Sequence, residues 1–170
     1  MRKSLISACT FLLLLIAIAI LGSGIYRQSR LDASSREFAI HVTQIILSGN
    51  PRYEAQEDLE DAPELEEPPT AAETLASFAH PLLLEQRSMD ALGKYLYTIT
   101  LNLGPLQVVQ SINGGSDVPL FVFDSQIPSA THNLQVEFSA GSAQVMIDMI
   151  LEGDEWLITA FSVETTLLSS

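Results

Sequence analysis

Residues 134–163, LQVEFSAGSAQVMIDMILEGDEWLITAFSV, decide the fold. Leu134, Val136 and Phe138 alternate with Gln135 and Glu137. After Ala140-Gly141, Val145, Ile147, Met149 and Leu151 alternate with Gln144, Met146, Asp148 and Ile150. A period of two puts successive side chains on opposite faces of a strand, so each segment reads as a half-buried β-strand. Gly153-Asp154 is a tight hairpin signal, and residues 156–163 form the strand that follows it. The stretch is therefore an antiparallel ribbon with one apolar face.

Working back from it, Leu106, Val108 and Ile112 begin a further strand, which Asn113-Gly114-Gly115 is expected to turn. Residues 120–123 would add a short extra strand. Before Leu106 the period is helical. Met89, Leu92, Leu96, Ile99 and Leu103 recur at alternating three- and four-residue spacing, behind Ser88 as N-cap and ahead of Gly104-Pro105. A shorter helix is expected over 71–79, ended by His80-Pro81 because the residue before proline avoids helical geometry. Leu31, Phe38, Val42 and Ile45 mark an amphipathic helix over 31–47, stopped by Gly49-Asn50-Pro51. Helices followed by antiparallel strands mean α+β, with helices packed on one sheet face.

The chain opens with an apolar run free of charge from Leu5 to Ile25. As a helix it would be roughly 30 Å long, the thickness of a bilayer's hydrocarbon core. Residues 1–30 are thus expected to be a membrane anchor, entering the next helix after a short break around 27–29. Arg2 and Lys3 before it are nearly balanced by Arg27 and Arg30 after it. The free amino terminus tips the N-terminus inward, so residues 31–170 would lie outside the cytoplasm. A cleaved secretory signal is the rival reading, and it exports the domain equally. The expected location is a bacterial inner membrane, crossed once, with the domain on the periplasmic side. Cys9 precedes the apolar core's end, the wrong position for lipid attachment, and reads as a small apolar residue.

The net charge is −13, and beyond Arg36 only Arg52, Arg87 and Lys94 are basic. Such a surface repels phosphate backbones, which excludes nucleic acid as a partner class. The exported part has no cysteine to form a disulfide. Residues 52–70 carry eight carboxylates among three prolines and read as a disordered acidic insertion. No calcium-loop pattern with its glycine occurs there.

The helix ending Leu103-Gly104-Pro105-Leu106, the strand Val136-Glu137-Phe138, residues 143–151, the turn Glu152-Gly153-Asp154-Glu155 and Trp156-Leu157-Ile158 leading to Phe161-Ser162-Val163 together resemble the nuclear-transport-factor-2-like, or cystatin-like, superfamily. The likeness covers about residues 34–165 and points to small membrane-anchored bacterial envelope proteins. It implies a curved antiparallel sheet wrapped on helices as a cone. Members of the superfamily include isomerases, cyclases and dehydratases, but also binding modules and scaffolds that pair through their sheets. Fold alone does not choose among them.

Asp148 is the candidate base. It shares a face with Met146 and Ile150, and a carboxylate between apolar neighbours in a cone pocket would suit proton abstraction. The bland reading is a solvated carboxylate beside Gln144 and Glu152. Tyr95 and Tyr97, on different faces of their helix, are not assigned as oxyanion donors. His41, His80 and His132 lack metal-ligand spacing and read as structural. Ser116, in Gly114-Gly115-Ser116-Asp117, is not in a nucleophile elbow and reads as part of a turn. Trp156 and Phe161 are core residues if buried and interface anchors if exposed. No phosphate loop or dinucleotide fingerprint occurs, and no cofactor or metal is expected. The resulting expectation is a non-enzymatic, membrane-tethered binding or scaffold domain with a second copy or another envelope protein as partner. The alternative is a small-molecule pocket protein or isomerase-type enzyme.

Overall fold

A computed structural model describes the backbone of residues 2–48, 69–119 and 126–166, and the side chains of all of these except residues 2–10, 13, 16, 17 and 166. Most of the acidic stretch and the expected strand over 120–123 lie outside the described residues.

Four helices precede four strands. They are α1 (Arg2–Ser48), α2 (Ala71–Ser77), α3 (Pro81–Gln86), α4 (Met89–Leu103), β1 (Leu106–Asp117), β2 (Ser129–Phe138), β3 (Gly141–Glu152) and β4 (Glu155–Thr166). The strands form one antiparallel meander in the order β1-β2-β3-β4. The fold is therefore α+β, as the change of period implies.

Period-two alternation in β2 and β3 buries Leu134, Val136 and Phe138 beside Ala143, Val145, Ile147 and Met149. In β4 a bulge at Thr159 resets the alternation, because Asp148 faces Ala160 while Met149 faces Ile158. Both Ile158 and Phe161 thereby point inward although they are three positions apart, an odd spacing that a regular strand would put on opposite faces. Leu92, Leu96, Ile99 and Leu103 of α4 and Ala39, Val42, Ile46 and Leu47 of α1 complete this single core. Burying such aliphatic side chains is worth about 1.5–3 kcal/mol each, so the two helical stripes hold the layers together.

Three expectations change. The break around 27–29 is absent, and α1 is one helix of 47 residues. His80-Pro81 ends α2 but also starts α3: the His80 imidazole caps the Leu82 N–H, and Pro81 occupies the first helical position, where no N–H is needed. Asn113-Gly114-Gly115 does not turn the chain. β1 runs through it to Asp117, paired with β2 up to Ser129. The glycine serves close approach instead: Gly114 has φ 115°, and a Cβ there would lie 2.1 Å from the Thr131 carbonyl oxygen. Gly153, at φ 63°, does sit in the expected β3–β4 hairpin.

Helix-borne groups engage both borders of the meander. On β1, Arg36 donates from Nη2 to the Gly114 carbonyl at 3.0 Å, and the Ser116 N–H donates to Asp32 Oδ1 at 3.0 Å. On β4, the Ile158 N–H donates to the Phe78 carbonyl and the His80 N–H to the Ile158 carbonyl, both at 2.8 Å. Further along β4, the Val163 N–H donates to the Tyr95 hydroxyl at 2.6 Å, and that hydroxyl faces the Val163 carbonyl at 3.2 Å. Unpaired edge groups would otherwise invite strand addition. Tyr95→Phe should cost about 1–2 kcal/mol in urea unfolding, since it strips both Val163 groups of their partner.

Among the residues with described side chains, no helix is long and apolar enough to cross a membrane. On α1, Phe11, Leu12, Leu14, Leu15, Ile18, Ile20, Leu21 and Ile25 are all exposed.

Candidate functional site

Two features lie where α1 meets the sheet. The first is a buried polar junction. His132, on the inner face of β2, and Ser35 of α1 are both 0% exposed. Ser35 Oγ donates to the Asp32 carbonyl at 3.0 Å and lies 2.8 Å from His132 Nε2. A hydroxyl committed to that carbonyl must accept from the ring, which makes Nε2 the protonated nitrogen and leaves Nδ1 without a partner. Burial pushes the His132 pKa below the ordinary 6.5, outweighing the Asp32 carboxylate, which raises it, and acting with Arg36, which lowers it. Asp32 and Arg36 form an i,i+4 pair at 3.2 Å, and together they hold β1 through Ser116 and Gly114.

Serine, histidine and aspartate here do not make a nucleophilic triad. The Asp32 carboxylate is committed to Ser116 and Arg36, and Ser35 has no access to solvent. The junction joins α1 to β1 and β2. Ser116, expected in a turn, is a strand residue whose backbone meets Asp32.

The second feature is a concavity of about 1020 Å³ between α1, the end of α2 and the β3–β4 hairpin. Its apolar wall comes from Phe38, Ile40, Phe78, Trp156 and Leu157, and its polar groups include Glu37, His41, Gln44, Asp154 and Glu155. Phe38 and Phe78 meet edge to face at 5.8 Å between centroids, which fixes the α1–α2 side of the wall. Trp156 donates from Nε1 to Ser34 Oγ at 3.1 Å, which fixes the hairpin side.

The residues singled out from the sequence are dispersed. Asp148 sits on the outer sheet face, away from the helices, where its Oδ1 accepts from Thr131 at 2.7 Å across the β2–β3 pair. Trp156 is 7% exposed and contributes to both core and concavity, whereas Phe161, at 2%, is interior. Tyr95 binds the β4 backbone and carries Arg87 over its ring at 5.3 Å. His80 caps α3 and pairs with Glu152 at 3.2 Å, tying α3 to the hairpin. His41 lines the concavity. Among the described residues no cluster of three His, Cys, Asp or Glu could hold a metal ion.

The Ser35–His132 contact joins residues with no sequence motif in common. A polar histidine at an inward-facing position of an alternating strand was its only signal, because such a residue needs a buried partner. Comparison with protein-family models, curated proteins and solved structures finds no match for this chain.

Proposed function

We propose that this chain is a membrane-tethered binding or scaffold domain of the bacterial envelope, held by the apolar run of α1 and working on the periplasmic side. The observation that carries the reading is the exposed apolar surface of α1, from Phe11 to Ile25, on a helix whose continuation enters the core. Water would not favour so large an apolar surface on one element, and lipid would. Tethering confines the domain and raises its effective concentration toward neighbours in the same envelope. The resemblance of the sequence to the nuclear-transport-factor-2-like superfamily, with its cone, belongs to the same reading.

Full-length chain should stay with membranes through high salt and carbonate and leave only with detergent, while a chain lacking residues 2–25 should be released freely. Release of the full-length chain without detergent would overturn the tether. A C-terminal tag open to an impermeant label in intact cells would fit the periplasmic side, and a tag protected from it would reverse the orientation. Crosslinking in intact cells should yield a defined partner or a second copy.

The concavity favours a second reading, a small-molecule pocket protein. Asp148, its candidate base, is on the other face of the sheet, so an isomerase would have to draw its base from Glu37, His41, Asp154 or Glu155.

A further inference from the structure

We infer that the groove between α1 and the β3–β4 hairpin docks a cationic, partly apolar peptide segment of a partner protein. The inference rests on the binding-domain reading but not on the tether. Phe38, Phe78 and Trp156 supply an aromatic floor, and Glu37, Asp154 and Glu155 stand exposed at its margin. Among the described residues no lysine or arginine lines the groove, and no ion pair engages those three carboxylates.

None of the chain's described lysines or arginines lines the groove, Arg27 and Arg30 lying on α1 ahead of Ser34. Arg36 is bound to Asp32 and β1, Arg87 lies over Tyr95, and Lys94 pairs with Asp90 at 3.0 Å. The linker joining α1 to α2 carries eight carboxylates against the single Arg52, the wrong sign to neutralise an acidic margin. Charge complementarity therefore calls for an occupant from another chain: ammonium or guanidinium groups reach the margin, and apolar side chains cover the rings. A groove of this volume exceeds what one small cation fills.

Trp156 is the only tryptophan, so its emission reports from the groove wall itself. Full-length chain in neutral detergent, titrated with a (Lys-Leu)4 peptide, should show a saturable change in that emission. The triple variant Glu37→Gln/Asp154→Asn/Glu155→Gln should weaken binding at least tenfold. Glu85→Gln/Asp117→Asn/Glu164→Gln, which removes the same charge elsewhere, should change it less than twofold. All six positions are exposed, so folding is preserved in both variants.

Equal loss in both triples would reduce the effect to net charge and overturn the inference. Equal binding of (Glu-Leu)4 would overturn it too, as would a full emission change with tetramethylammonium at matching concentration, which would mark a small-ligand site. Peptide failure alongside a defined crosslinked partner would remove the groove assignment and leave the binding-domain reading standing.

Discussion

Gly114→Ala lowers the stability of this chain by more than about 3 kcal/mol, the sum of a disfavoured backbone conformation and a direct clash. At φ 115°, Gly114 occupies backbone space that residues with a Cβ rarely enter. The added carbon would lie 2.1 Å from the Thr131 carbonyl oxygen and 3.0 Å from the His132 Cα. Both contacts are backbone, so no side chain can swing aside, and β1 must part from β2. The Gly114 carbonyl also receives Arg36, so the same displacement loosens α1. A typical domain has only about 5–15 kcal/mol in hand, which makes this one methyl group a severe change. Gly115→Ala is the comparison: its nearest contact is Asp32 Oδ1 at 3.2 Å, a side-chain atom that must give only slightly while keeping the Ser116 N–H, and the cost should stay well below that of Gly114→Ala. Urea unfolding of both variants, followed by Trp156 emission, checks the contrast. Equal stability of the two would show that the β1–β2 approach at Gly114 is not tight.

Acid should weaken the fold through His132. Its pKa is lowered in the folded chain, chiefly by burial, from an ordinary 6.5. From about pH 6.5 downward the unfolded chain therefore binds more protons than the folded one. Stability is full above 6.5 and falls below it, by at most about 1.4 kcal/mol per pH unit for this one proton. The decline ends only when the folded imidazole itself takes up a proton. That proton would belong on Nδ1, which has no partner, beside the Arg36 charge. Urea midpoints between pH 7.5 and 5.5 should fall for the parent chain and flatten for His132→Gln. A parent slope unchanged in the variant would remove His132 from the pH response.

The sheet was readable because its core strands alternate cleanly. Val145, Ile147 and Met149 announce an inner face, and Gly153-Asp154 announces the hairpin. The α4 stripe was equally plain, with only Met89 proving exposed. Gly114 misled because glycine serves both turns and close strand approach, and the two uses look alike in one dimension. The β4 bulge was hidden because one extra residue changes which side chains point inward without changing composition. The Ser35–His132 junction was out of reach: ninety-seven residues separate its members, and only the fold makes them neighbours. The groove was invisible for the same reason, since α1, α2 and the hairpin supply its walls from three distant stretches.

Because α1 continues without a joint from Arg2 to Ser48, it works as a lever about 70 Å long with no swivel along it. Turning its lower half turns Ala39, Val42 and Ile46, and the sheet follows them. One residue added ahead of Leu31 would rotate the whole body by about 100° about the helix axis, and seven added residues, about two turns, would nearly restore its phase. Whatever grips the exposed lower part of this helix therefore sets the compass bearing of the hairpin above it.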